Sequence, residues 1–148
     1  MSEIKFRGKT QNGEWVFGYY LPYHSVKDMT GKEVFAHIYQ EPDEKHRNGW
    51  VLVEAETVGQ YTGLKDKNGV EIYEGDVVAV KLDDKIICVG DVQFDCGVFG
   101  SEWTHHKEYK SMVGGWGQRH NLRRFDDDII DNIEVIGNVT DNPELLKE

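Results

Sequence analysis

The side chains with the most chemical capacity lie between Trp103 and Arg124. There His105, His106, Lys107, Lys110, Arg119, His120, Arg123 and Arg124 are interleaved with Tyr109 and Trp116, against one carboxylate, Glu108. Cations meet phosphates and flat rings stack on bases, so this mixture is what single-stranded nucleic acid requires. Gly114, Gly115 and Gly117 would offer Trp116 on a loop. Trp116, Arg119, His120, Arg123 and Arg124 are therefore the candidate binding residues. The plainer reading folds Trp116 back over the core and lets the arginines neutralise nearby carboxylates.

The remaining constellations are weaker. Asp126, Asp127 and Asp128 with Asp131 carry enough oxygen for Mg²⁺, yet consecutive aspartates diverge and only Asp128 and Asp131 would share a helical face. A solvated acidic loop is the better reading. His105 and His106 face opposite ways on a strand, which makes a poor metal site. Ser101 with either histidine resembles a nucleophile pair only by closeness in sequence. No G-x-S-x-G elbow, P-loop or H-E-x-x-H helix occurs, so no catalytic residue, metal or cofactor is expected.

Composition narrows the classes further. The 148 residues carry 17 Lys+Arg against 27 Asp+Glu, a net charge of −10 that repels a phosphate backbone at long range. Hydrophobic residues make up 39% and charged residues 30%, which suits an ordinary globular chain with one main core. The opening MSEIKFRGKT lacks a signal-peptide core, and no apolar run reaches membrane-spanning length. The expected location is the cytoplasm of the cell that makes it. The two cysteines agree. Cys88 and Cys96 lie eight positions apart, and on one straight strand their α-carbons would be about 26 Å apart, too far for a disulfide without a bend near Asp95.

Something must position these side chains, and the 16 glycines and 3 prolines say what. Glycine turns between short aromatic and β-branched runs predict a mainly β chain. Ile4–Arg7 reads as a strand, Gln11–Glu14 as a hairpin turn and Trp15–Leu21 as the returning strand. Met29–Lys32 turns into Val34–Tyr39, the polar stretch from Gln40 to Gly49 is a loop, and Trp50–Val53 restarts regular structure. Asp66-Lys67-Asn68-Gly69 and Glu74-Gly75-Asp76 supply two more reversals. Beyond them Val78, Val80 and Leu82 share one face. Asp83-Asp84-Lys85 turns the chain, and Ile86, Cys88, Val92 and Phe94 line one face of the return strand. Pro143–Leu146, capped by Asp141 or Asn142, closes the chain with a helical turn.

Two curved hairpins around Ile72-Tyr73-Glu74-Gly75-Asp76-Val77-Val78 suit a small SH3-like barrel. The same stretch carries a resemblance. Thr57-Val58-Gly59-Gln60-Tyr61-Thr62-Gly63-Leu64-Lys65-Asp66, then Asn68-Gly69 and Ile72–Asp76, resembles the central signature of the YopX family. Ile4–Lys9 with Trp15–Gly18 resembles that family's N-terminal hairpin. Ile133–Asn138 and Asp141–Leu146 resemble its C-terminal strand and final turn. The segment from Gly100 to Asp131 matches none of its motifs. The resemblance implies an SH3-like barrel in the C-terminal half and an origin in phages or prophages of mostly Gram-positive bacteria. It brings no activity or active site.

The expected architecture is thus an N-terminal β subregion over residues 1–55 and an SH3-like barrel over 56–148, with a divergent insert near 100–131. The expected role is that of a non-enzymatic, phage- or prophage-encoded accessory protein in a bacterial cytoplasm. It would bind another protein or its own copies, with Tyr19, Tyr20 and Trp116 as exposed anchors. A nucleic-acid module using residues 103–124 is the alternative. No membrane is expected as a partner.

Overall fold

A computed structural model of the chain describes residues 3–95, 98–105, 120–121 and 131–147. Twelve strands account for most of it, all the pairings being antiparallel, and no α-helix occurs among the described residues. The chain divides into two compact units, residues 1–63 and 64–148.

The first unit holds β1 (Phe6–Lys9), β2 (Trp15–Tyr20), β3 (Val26–Lys27), β4 (Glu33–Tyr39), β5 (Trp50–Glu54) and most of β6 (Gly59–Lys65). β1 pairs with β2 on one side and β6 on the other, while β4 pairs with β2, β3 and β5. Its turns are made by the residues the sequence marks. Gly13 and Gly31 both take positive φ, and the Asp28 carboxylate accepts the backbone N–H groups of Thr30 and Lys32. Alternation sends Val16, Ala36, Ile38, Val51 and Val53 into a shared core, with Phe6 and Tyr20 against it. Tyr20 is therefore not an exposed anchor. Its even position on β2 turns it inward, where its ring lies 5.4 Å from that of Phe6.

The second unit contains β7 (Glu71–Tyr73), β8 (Asp76–Leu82), β9 (Lys85–Asp95), β10 (Val98–His105), β11 (His120–Asn121) and β12 (Ile133–Asn138). Five of these form a sheet in the order β11-β10-β9-β8-β12. Ile72, Val78, Cys88, Val92 and Ile133 make its core, joined by Leu64, Val80 and Val135. Leu82 and Phe94, near strand ends, are 43% and 48% exposed. Ile86 does not share the Cys88 face: Cys88 pairs with Val80 but Ile86 with Lys81, a bulge that leaves Ile87 as the extra residue. Ile87, of opposite parity, is buried instead. The β8–β9 reversal places Asp83 and Asp84 at φ 48° and 62°, the left-handed pair that a tight hairpin turn requires. β9 runs unbroken from Lys85 to Asp95, so Cys88 lies mid-strand.

Candidate functional site

The outward side of the first unit's sheet concentrates rings. With Val16 and Tyr20 turned inward, Trp15, Phe17 and Tyr19 of β2 point outward. By the same alternation β4 presents Phe35, His37 and Tyr39, and β5 presents Trp50 and Leu52. Register then aligns them. Tyr39 is the direct partner of both Tyr19 and Trp50, giving one aromatic row across three strands, and His37 faces Leu52 in the next row. Phe17 is 47% exposed, Tyr19 63% and Leu52 41%, so this side is open where β2 and β5 carry it.

Two glycines make the row possible. A Cβ on Gly18 would collide with the Tyr39 carbonyl oxygen, so only glycine lets β2 meet β4 here. Gly49, at φ +77°, would bring a Cβ to 2.6 Å from both the Gln40 carbonyl oxygen and the Tyr39 ring. Its left-handed backbone feeds the chain directly into Trp50.

Three cations of β1 and its approach are engaged. Arg7 lies 4.6 Å above the Trp15 ring and Lys9 5.9 Å from it. Lys5 is 5.5 Å from the Tyr61 ring and 3.8 Å from Glu3. Residues 1–63 contain seven of the 17 basic and nine of the 27 acidic residues, so nearly all of the −10 charge belongs to the second unit.

Trp50 also closes a cleft at the edge of the row. Its ring centroid lies 5.4 Å from Tyr39, 5.7 Å from His24 and 6.2 Å from His37. His24, His37, Asn48 and Trp50 line one hollow of about 380 Å³. A second, also about 380 Å³, shares Asn48 and Trp50 and is completed by Glu44, Lys45, His46 and Arg47. The loop between β4 and β5 is internally braced. Gln40 N–H donates to Gly49 C=O at 2.9 Å, and the Asp43 carboxylate takes the His46 N–H. That hydrogen bond holds the Asp43 carboxyl below the usual range, and Lys45, 2.7 Å away, does the same to Glu14.

Trp116, Arg119, Arg123 and Arg124 are outside the described residues. His120 lies on β11, its backbone opposite Ser101. Ser101 is buried on β10, four positions from His105, about 13 Å along the strand, while His106 is undescribed. Among the described residues no group of three or more His, Cys, Asp or Glu is arranged to hold a metal ion. Burial pushes the Cys88 thiol up to about 11, which removes its thiolate at neutral pH. No described helix is long and apolar enough to cross a membrane.

The family model of the YopX protein matches residues 5–147. The chain belongs to the YopX family. The crystal structure of protein EF1440 from Enterococcus faecalis is similar in fold, with a TM-score of 0.52 at 22% identity over 99% of this chain and 100% of that one. No curated protein matches.

The residues that carry the YopX signature prove to be architectural. The buried Asp66 carboxylate accepts N–H groups from Asn68 at 2.8 Å, Val70 at 2.9 Å and Val135 at 3.0 Å, tying its turn to β12. Asp76, also buried, accepts the Tyr73 N–H at 2.7 Å and so shapes the turn into β8. Asn138 accepts from Thr140 and Asp141, and a Cβ on Gly137 would strike Asn142 and Leu145. Expected caps differ in detail. Asn142 precedes the 3-10 turn Pro143–Leu146 without capping it, and its side chain accepts the Asn138 N–H at 3.3 Å. The aromatic face lies largely outside these signature residues. Its sequence traces are Trp15, Phe17 and Tyr19, and Phe35, His37 and Tyr39, each set at alternate positions.

Proposed function

We propose that this YopX protein is a phage- or prophage-encoded accessory protein that works in a bacterial cytoplasm by binding another protein. It does so without catalysis or cofactor. Its contact surface is the aromatic row Tyr19–Tyr39–Trp50 with Phe17 and Leu52, and its second unit is an SH3-like barrel. The single observation behind the contact surface is that register aligns these rings on an exposed sheet face. Tyr and Trp combine large contact area with few rotatable bonds, which is why they anchor protein interfaces.

Lys5, Arg7 and Lys9, beside the row's β2 end, are held by rings or a carboxylate, which favours a protein over a phosphate backbone at that part of the surface. The nucleic-acid alternative through residues 103–124 rests on composition alone.

Tyr19→Lys combined with Leu52→Glu tests the proposal in a pull-down from a host lysate. Loss of a specific captured protein, with an unchanged melting temperature, is expected. Equal capture by the variant, or sedimentation showing that the wild type buries this face against its own copies, overturns it.

A further inference from the structure

We propose that the cleft beside Trp50 is a nucleotide site, taking a purine or pyrimidine base against the Trp50 ring and its phosphate at Arg47. The inference goes beyond the protein contact surface: the two share Trp50, but the site rests on the cleft lined by His24, His37, Asn48 and Arg47.

The chemistry of the two hollows differs in the way a nucleotide differs along its length. The first is walled by the rings of His24, His37 and Trp50. A flat heteroaromatic base is the ligand that gains most from such walls, by stacking on tryptophan. The second holds Lys45, His46 and Arg47 with Glu44. Of its cations Lys45 is occupied by Glu14 at 2.7 Å, whereas Arg47 is exposed and has no ion pair among the described residues. A guanidinium is the planar, two-pronged donor suited to phosphate. Each hollow, of about 380 Å³, is a shallow groove open to solvent, so a ligand there is held on one side by stacking and by the cation.

His37, lining the first hollow, and Asn48, lining both, carry the polar groups available to the edge of a base. His37 Nδ1 lies 2.7 Å from the His24 carbonyl oxygen, which can only accept. Nδ1 therefore carries the proton, and in the neutral ring Nε2 keeps its lone pair. Asn48 Oδ1 accepts the Trp50 backbone N–H at 3.0 Å, which orients the amide and leaves both Nδ2 protons to donate. An acceptor and a donor pair beside a stacking ring match an exocyclic amine next to a ring nitrogen, the pattern of adenine and cytosine. A peptide aromatic ring would stack as well, but it would leave these donors and Arg47 unused.

The full chain is titrated calorimetrically, and by tryptophan fluorescence, with adenosine and cytidine 5′-monophosphate, their nucleosides, inorganic phosphate and a short single-stranded oligonucleotide. The nucleotides are expected to bind with Kd below about 1 mM. The nucleosides bind about tenfold more weakly and inorganic phosphate weaker still. Arg47→Gln, on an exposed side chain, lowers nucleotide affinity about tenfold and leaves the nucleoside unchanged. Asn48→Asp keeps the oxygen that accepts from Trp50 but removes the donors, and weakens nucleotide and nucleoside alike. An oligonucleotide that binds tighter than the mononucleotides, with the same response to Arg47→Gln, identifies a strand as the source of the base; equal affinity identifies the free nucleotide. Absence of binding, inorganic phosphate binding as well as nucleotide, or affinity untouched by both substitutions overturns the assignment. Neither substitution alters Tyr19 or Leu52, so failure here is separable from failure of the protein contact surface.

Discussion

Replacing Asp66 by alanine is expected to remove about 2.5–6 kcal/mol of folding free energy. The side chain is 6% exposed, and its carboxylate takes three backbone N–H groups. A hydrogen bond to a charged acceptor contributes about 1.5–3 kcal/mol, and the bond to Val135 joins segments 69 residues apart. The bonds to Asn68 and Val70 lie in a turn that water can partly re-solvate, so each is assigned about 0.5–1.5 kcal/mol. Asp66→Asn separates the terms. Its one amide oxygen can keep the turn bonds, but its NH₂ then faces the Val135 N–H, so a loss of about 2–3 kcal/mol is expected. Urea unfolding of the three proteins, followed by circular dichroism, reads these differences as shifts of the midpoint. An asparagine variant as stable as the wild type, or an alanine loss below about 1 kcal/mol, would refute the view that this signature aspartate holds the fold together.

Three other outcomes are expected. Glu134 lies 2.7 Å from Lys81 and 3.2 Å from Lys67, whose hydrogen bonds lower its pKa; a depressed folded-state pKa gives stability that is present above the unfolded carboxylate value and lost as pH falls through the folded one. The melting-temperature gap between wild type and Glu134→Gln is thus widest above about pH 5 and closes on acidification, and a pH-independent gap contradicts the pairing. In a Cys96→Ser background, Cys88 is expected to resist a thiol reagent at pH 8 until the protein unfolds, since a thiol titrating near 11 is about one part in a thousand thiolate there; rapid native labelling contradicts its burial. Asp83→Asn with Asp84→Gly is expected to raise the melting temperature by roughly 2–4 °C, because both positions have positive φ and glycine adopts it without strain, and scanning calorimetry of the double variant checks it.

Short-range chemistry was legible in the chain itself. Gly13, Gly31, Gly69 and Gly75 all take the positive φ that their turns called for, because the missing Cβ acts within a residue or two. Period-two alternation likewise put Val78 and Cys88 on the faces that prove to be core, and announced a mainly β family member. The tertiary structure alone decided what depends on register. Tyr19, Tyr39 and Trp50 are up to 31 positions apart, and a slip of one residue would have sent each of them to the core. Tyr20 shows the same rule in reverse, an aromatic neighbour of Tyr19 that the pleat turns inside. The cleft is further still from any local pattern, since His24, His37 and Asn48 come from three different segments. They meet only because the Asp43–His46 turn and Gly49 bring the loop back onto β4, a closure that no stretch of sequence specifies alone.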